Sequence, residues 1–115
     1  MKHVHHPNAD ELSLPGVMAA LSDPVRVEIV RCLAAQGEAA CGTFELGIAK
    51  ATRSHHLRVL REAGLTHTRA QGTHRIVSLR REELDTRFPG LLDAVLAAAE
   101  REAATTAAAA AAVAV

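Results

Sequence analysis

Aromatic side chains are nearly absent from this chain. Among its 115 residues there is no Trp or Tyr, and Phe44 and Phe88 are the only phenylalanines. The core must therefore be aliphatic, built from Leu, Val, Ile and Ala, and it gains less burial per residue than aromatics give. Association into a dimer would add the missing apolar area. Cysteine is scarce as well. Cys32 and Cys41 are too few for a disulfide framework, and Cys32 falls in a helical pattern where a buried free thiol is expected. Long apolar runs are missing. The His-rich start has no signal-peptide core, and threonines and charges interrupt the alanine-rich end. The expectation is a cytoplasmic protein with no membrane segment, and the length sets one small domain.

Net charge is formally zero, yet the charge is unevenly placed. Residues 1–49 carry three Lys/Arg against six Asp/Glu, net −3. Residues 50–81 carry eight against one, Glu62, net +7. Residues 82–115 carry two against six, net −4. A basic block between acidic flanks points to a polyanion-binding surface.

Residues 1–12 are polar and aperiodic, a flexible His-containing segment. Residues 13–104 hold the folded domain. Ser13 caps a first helix with Pro15 in its first turn and Val17, Met18 and Leu21 as its apolar face. Asp23-Pro24 opens a second helix that turns Val25, Ile29, Cys32 and Leu33 inward, with Val30 beside them, and ends at Gly37. Residues 41–64 read helix, turn, helix. Phe44 and Leu46 anchor a brief first helix, Gly47 turns the chain, and Lys50–Leu65 is amphipathic with Leu57, Leu60 and Leu65 facing a core. Gly64 suits a C-terminal cap with positive φ.

Beyond Gly64 the period changes. Two β-prone runs around Gln71-Gly72 predict a protruding hairpin, tied to the body by Ile76 and Leu79. Arg81–Phe88 reads as a helical turn. Pro89 then opens a last helix with Leu91, Leu92, Val95 and Leu96 as its apolar face. Residues 105–115 form an Ala-rich tail, expected to be disordered. The fold class is mainly α with a β-hairpin wing.

An α-helix fits the major groove of B-DNA and reaches base edges with its N-terminal residues. Lys50, Thr52, Arg53 and Ser54 occupy that end, followed by His55, His56 and Arg58. His67, Arg69, Gln71, Thr73, His74 and Arg75 on the hairpin suit phosphates or an adjacent minor groove. His56 has an equal claim to a packed position at the turn. A solvated basic face is the plain alternative, and a partner-binding module without DNA activity is the functional one. No enzyme is predicted. Ser54, His55 and His56 are adjacent on a helix and point about 100° apart, and no paired carboxylates or phosphate loop accompany them.

Leu21-Ser22-Asp23-Pro24-Val25-Arg26-Val27-Glu28-Ile29-Val30 resembles the second-helix signature of the ArsR/SmtB family of bacterial transcriptional regulators. Ser54-His55-His56-Leu57-Arg58-Val59-Leu60-Arg61-Glu62-Ala63-Gly64-Leu65 resembles that family's recognition-helix signature. The likeness spans Val17 to Val95. It implies a winged helix-turn-helix, a homodimer joined through its first and last helices, and a palindromic double-stranded DNA operator. The family usually shows serine, glutamine, serine where this chain has Ala49, Lys50 and Ala51, and Arg53 replaces an apolar residue. Operator preference is therefore expected to reside in that first turn.

Relatives of this type sense metals through thiolates near the third helix, or through Asp and His on the last. Here Cys41 has no CxC or CxxC partner, and Asp93, Glu100 and Glu102 have no His, so both sites are incomplete. The N-terminus differs. His3, behind a free amine and two amides, with His5 and His6 nearby, suits a square-planar nitrogen site for Ni(II) or Cu(II). Weak binding without regulation is the competing reading. The chain also resembles actinobacterial regulators of nickel-dependent superoxide dismutase expression, which implies nickel-linked control, with a metal-sensing partner protein as one route.

Overall fold

In the computed structural model, which describes residues 5–44 and 47–113 (side chains through 110), the chain enters through a capped helix. Ser13 stands at the N-cap of α1 (Leu14–Ala20) and its hydroxyl accepts from the Gly16 amide at 3.1 Å. Asp23 does the same for α2 (Pro24–Gln36), accepting from Val25 N–H at 2.8 Å. Pro in the first turn of both helices costs no ladder bond, because those amides have no intrahelical acceptor. α2 buries Ile29, Val30 and Leu33 completely.

A short strand β1 (Glu38–Ala40) leaves α2 and pairs antiparallel with β3 (His74–Leu79), which also pairs with β2 (Thr66–Gln71). The sheet order is β1-β3-β2. The predicted hairpin is therefore the outer part of a three-stranded wing. β1 has no β-branched residue; it forms because β3 offers a second edge for backbone pairing. The β3 side chain that enters the core is Val77, 1% exposed, with Leu79 packed beside it on the same face. Ile76 points to the other face, so it is not the anchor predicted, a consequence of the period-two alternation.

α3 (Lys50–Glu62) lies between the helices and the wing. Leu60 is fully buried, Leu57 packs against the core, and Leu65 follows into it. Each such leucine contributes roughly 1.5–3 kcal/mol of burial. Leu65 N–H bonds the Leu60 carbonyl and Gly64 N–H bonds that of Arg61, both at 3.0 Å. This pair of bonds ends the helix and requires the positive φ of Gly64, +87°. The element before α3 is shorter than predicted. A 3₁₀ turn at Cys41–Thr43 leads to buried Phe44, and the proposed anchor Leu46 lies outside the described residues.

α4 (Arg81–Arg87) and α5 (Leu91–Val113) close the core with Leu84 and Leu92. Two boundaries differ from expectation. Residues 105–113 continue α5 rather than forming a structureless tail, since alanine is the best helix former. Residues 5–12 are docked. Ala9–Glu11 form a 3₁₀ turn with a capping box, and Leu12 is 2% exposed in the core. The buried Arg80 guanidinium donates to the Pro7 carbonyl at 2.7 Å and to Glu83. On α1, Met18 is exposed with Leu14, while Val17 and Ala20 turn inward. Met18 therefore leaves the predicted apolar face, and the two exposed side chains, four residues apart, share one outer stripe. Among the described residues no helix is long and apolar enough to cross a membrane.

Candidate nucleic-acid interface

α3 begins without a side-chain cap. Ala49 holds the N-cap position and offers no oxygen to the first amides. Those donors face outward beside a run of polar residues, and a helix N-terminus of this kind favours a phosphate. Lys50, Thr52, Ser54 and His55 are exposed along this turn. Arg53 is half-buried, and its guanidinium reaches the Phe44 carbonyl only at 3.5 Å, the limit of a hydrogen bond. Arg58 is exposed and pairs loosely with Glu62 at 3.8 Å.

The wing brings a second group. Gln71 and His74 face one another across a two-residue loop, and Gly72 takes φ +61° at its first position. Gln71, Thr73, His74 and Arg75 are all exposed. Arg69 pairs with Glu38 on β1 at 2.9 Å and also donates to Gln71. This crosslink stiffens the wing and partly occupies two of the predicted DNA-facing side chains. The Cys41–Thr43 turn packs on β3, and Arg53 of α3 reaches the Phe44 carbonyl that follows it. The first turns of α3 and the wing thus converge around the Cys41 turn.

His56 does not join this surface. It is 8% exposed, with Nδ1 3.1 Å from the Arg26 guanidinium. Its place four residues before fully buried Leu60 puts it on the inner face of α3. Of its two sequence readings, the packed one is observed. Sequence reasoning missed Arg26 altogether, because a charged residue early in a helix reads as solvated.

The metal candidates are distributed differently. His3 lies outside the described residues. His6 stacks on His67, with ring centroids 4.2 Å apart, and its Nε2 accepts from the Thr68 amide at 2.9 Å. Burial, then the neighbouring His67, Arg61, Arg80 and His5, hold its pKa below the ordinary 6.5. That ring is committed to the wing edge, so ligation through Nε2 would break the Thr68 bond. As docked, His6 does not offer Nε2 to a metal. No group of three or more His, Cys, Asp or Glu side chains with metal-binding geometry occurs among the described residues. Burial raises the pKa of both Cys32 and Cys41 above the ordinary 9.0, which disfavours the thiolate that a soft metal requires.

The family of helix-turn-helix domains matches residues 21–69, from the end of α1 through α3 into the wing. YceK of Bacillus subtilis strain 168, an uncharacterized HTH-type transcriptional regulator, is 42% identical over 82 residues, 69% of this chain and 82% of that protein. A homodimeric winged helix-turn-helix DNA-binding domain from Mycobacterium bovis, a possible ArsR-family transcriptional regulator, superposes with a TM-score of 0.62 at 28% identity. The superposition covers 76% of this chain and 78% of that one. The chain belongs to a family of helix-turn-helix transcriptional regulators. The transcriptional repressor BigR from Xylella fastidiosa is also similar to this helix-turn-helix regulator. It is 32% identical, with a TM-score of 0.54 over 65% of this chain and 85% of that one. Family and fold are those of DNA-binding regulators, not of enzymes. In this helix-turn-helix regulator α3 takes the place of the motif's second helix and β2–β3 form the wing.

Proposed function

We propose that this regulator binds a palindromic operator as a homodimer, with Lys50, Thr52, Arg53, Ser54 and His55 entering the major groove. The uncapped, exposed N-terminus of α3 is the observation that carries this reading. Lys50 and Arg53 reach phosphate or base edges, and Ser54 and His55 supply polar contacts. Arg58, Arg69, Gln71, Thr73 and Arg75 meet the backbone beside the groove and position the helix without reading sequence. A two-fold dimer places two recognition helices about one DNA turn apart, near 34–36 Å.

The dimer reading rests on the exposed Leu14 and Met18 of α1 and on an open groove of about 760 Å³ between α2 and α5, walled by Pro24, Val27, Val95, Ala99 and Ala103. The similar M. bovis domain is itself homodimeric. Metal-linked control through His3, His5 and His6, or through a partner that senses nickel, is a further part of the reading, in which ligation by His6 Nε2 requires that ring to leave Thr68 first. A nickel or copper titration of the full chain against one lacking residues 1–6 tests that part, and equal affinities exclude it.

The DNA reading is tested by salt titration of binding to a duplex from the protein's own promoter. Replacing Lys50 and Arg53 by Ala lowers the slope of log K against log salt by about 0.9 for each phosphate contact removed. An unchanged slope and affinity in that double variant would reject it, and would favour a winged module that recognises a protein partner instead.

A further inference from the structure

The two stretches that align this chain with its family, Leu21–Val30 and Ser54–Leu65, are joined by one side chain. Arg26, in the first turns of α2, donates from Nε to the Ala20 carbonyl at the end of α1, at 2.6 Å. Its NH1 lies 3.1 Å from Nδ1 of His56 on α3. An arginine can only donate, so Nδ1 must accept, and the ring proton must sit on Nε2. Asp23, three residues before Arg26, is held at the start of α2 by accepting from the Val25 amide. Three helices thus meet at one guanidinium.

We propose that the Arg26–His56 pair sets the rotational position of the recognition helix, and so decides operator discrimination without touching DNA. The proposal rests on the DNA-binding reading above. Leu60, with Leu57, Val59 and Ala63, anchors the C-terminal half of α3 by packing, and the turns ahead of that contact are left with polar restraints. Toward the N-terminus the Arg53–Phe44 contact is marginal at 3.5 Å. The Arg26–His56 bond is directional and charge-assisted. A helix of about 5–6 Å radius that rolls by about 20° carries a surface tip roughly 2 Å. That displacement separates a hydrogen-bonding side chain from its base edge. Non-specific phosphate attraction tolerates such a roll; base readout does not.

The test compares His56→Ala with His56→Gln, whose amide oxygen can accept from Arg26. Two probes are used: a duplex selected from a random pool by the parent protein, and an unselected duplex of the same length. For His56→Ala, affinity for the selected duplex falls about ten- to a hundredfold. Affinity for the unselected duplex stays within about twofold, and the salt slope is unchanged because no phosphate contact is lost. His56→Gln recovers most of the selected-duplex affinity. In the free protein, imidazole ¹⁵N shifts of His56 report the Nε2–H tautomer, and Arg26→Met moves the Nδ1 resonance.

Equal selection by His56→Ala and parent overturns the proposal. So does a salt slope lowered by about one, which would make His56 a phosphate ligand, or a ring protonated on Nδ1. Equal losses on both duplexes, unrescued by glutamine, would reduce the pair to general stability. A parent protein that enriches no duplex fails the DNA reading itself and takes the clamp with it. That result is distinct from a parent that selects DNA beside a His56→Ala variant that selects it equally well.

Discussion

Replacing Gly64 by alanine strikes the junction of the recognition helix, the wing and the N-terminal arm at once. Gly64 holds φ at +87°, a region that costs an L-residue roughly 1 kcal/mol. Space is the larger obstacle. A Cβ built there overlaps Leu12 Cδ2 and stands 3.1 Å from Leu12 Cγ. Leu12 is 2% exposed and has little room to retreat. Overpacking of a closed core costs about 1–3 kcal/mol, so the substitution should destabilise by about 2–4 kcal/mol in all. Urea unfolding at fixed protein concentration measures it, with concentration held because dimerisation would add to apparent stability. A cycle with Leu12→Ala separates the two causes. Leu12→Ala alone costs about 2–5 kcal/mol as a cavity. The double variant should fall short of the summed losses by about 1–3 kcal/mol, because each change relieves the other. A loss below about 1 kcal/mol for Gly64→Ala, or strict additivity in the cycle, would refute the packing argument.

Two further outcomes follow from the titratable groups. Docked His6 takes up a proton at lower pH than the free arm, so docking is at full strength above 6.5 and weakens as pH falls below it. Protection of the Thr68 amide against hydrogen exchange, corrected for intrinsic rates, should decline in that window; constant protection down to about pH 5 contradicts it. Cys32 and Cys41, both held above 9.0 mainly by burial, should alkylate more slowly than free cysteine at neutral pH, and rapid labelling of either would show a thiolate that the structure does not support.

Much of the helical frame was legible because its signals are local. Ser13 and Asp23 announce helix starts through cap chemistry, and Gly64 announces an end through backbone conformation. The +7 block reveals the basic surface for the same reason, since charge is read residue by residue. What stayed hidden depends on partners distant in sequence. Glu38–Ala40 becomes a strand only because β3 has an edge to share. Ile76 and Val77 are both β-branched, and only register decides which enters the core. Met18 has an apolar side chain, but Val17 and Ala20 already fill the inward face of α1. His6 reads as a flexible ligand until His67 and the Thr68 amide are placed beside it. His56 reads equally as a surface donor or a packed ring until Arg26, thirty residues earlier, meets it.

The central claim is that the start of α3 and the tip of the wing form one DNA-binding surface. Amide chemical-shift mapping during titration with the selected duplex tests it most directly. Perturbations concentrated at Lys50–His55 and Gln71–Arg75, and diminished when Lys50 and Arg53 are both alanine, are the predicted result. Perturbations centred on α4 and the acidic start of α5, with residues 50–55 unmoved, would contradict it.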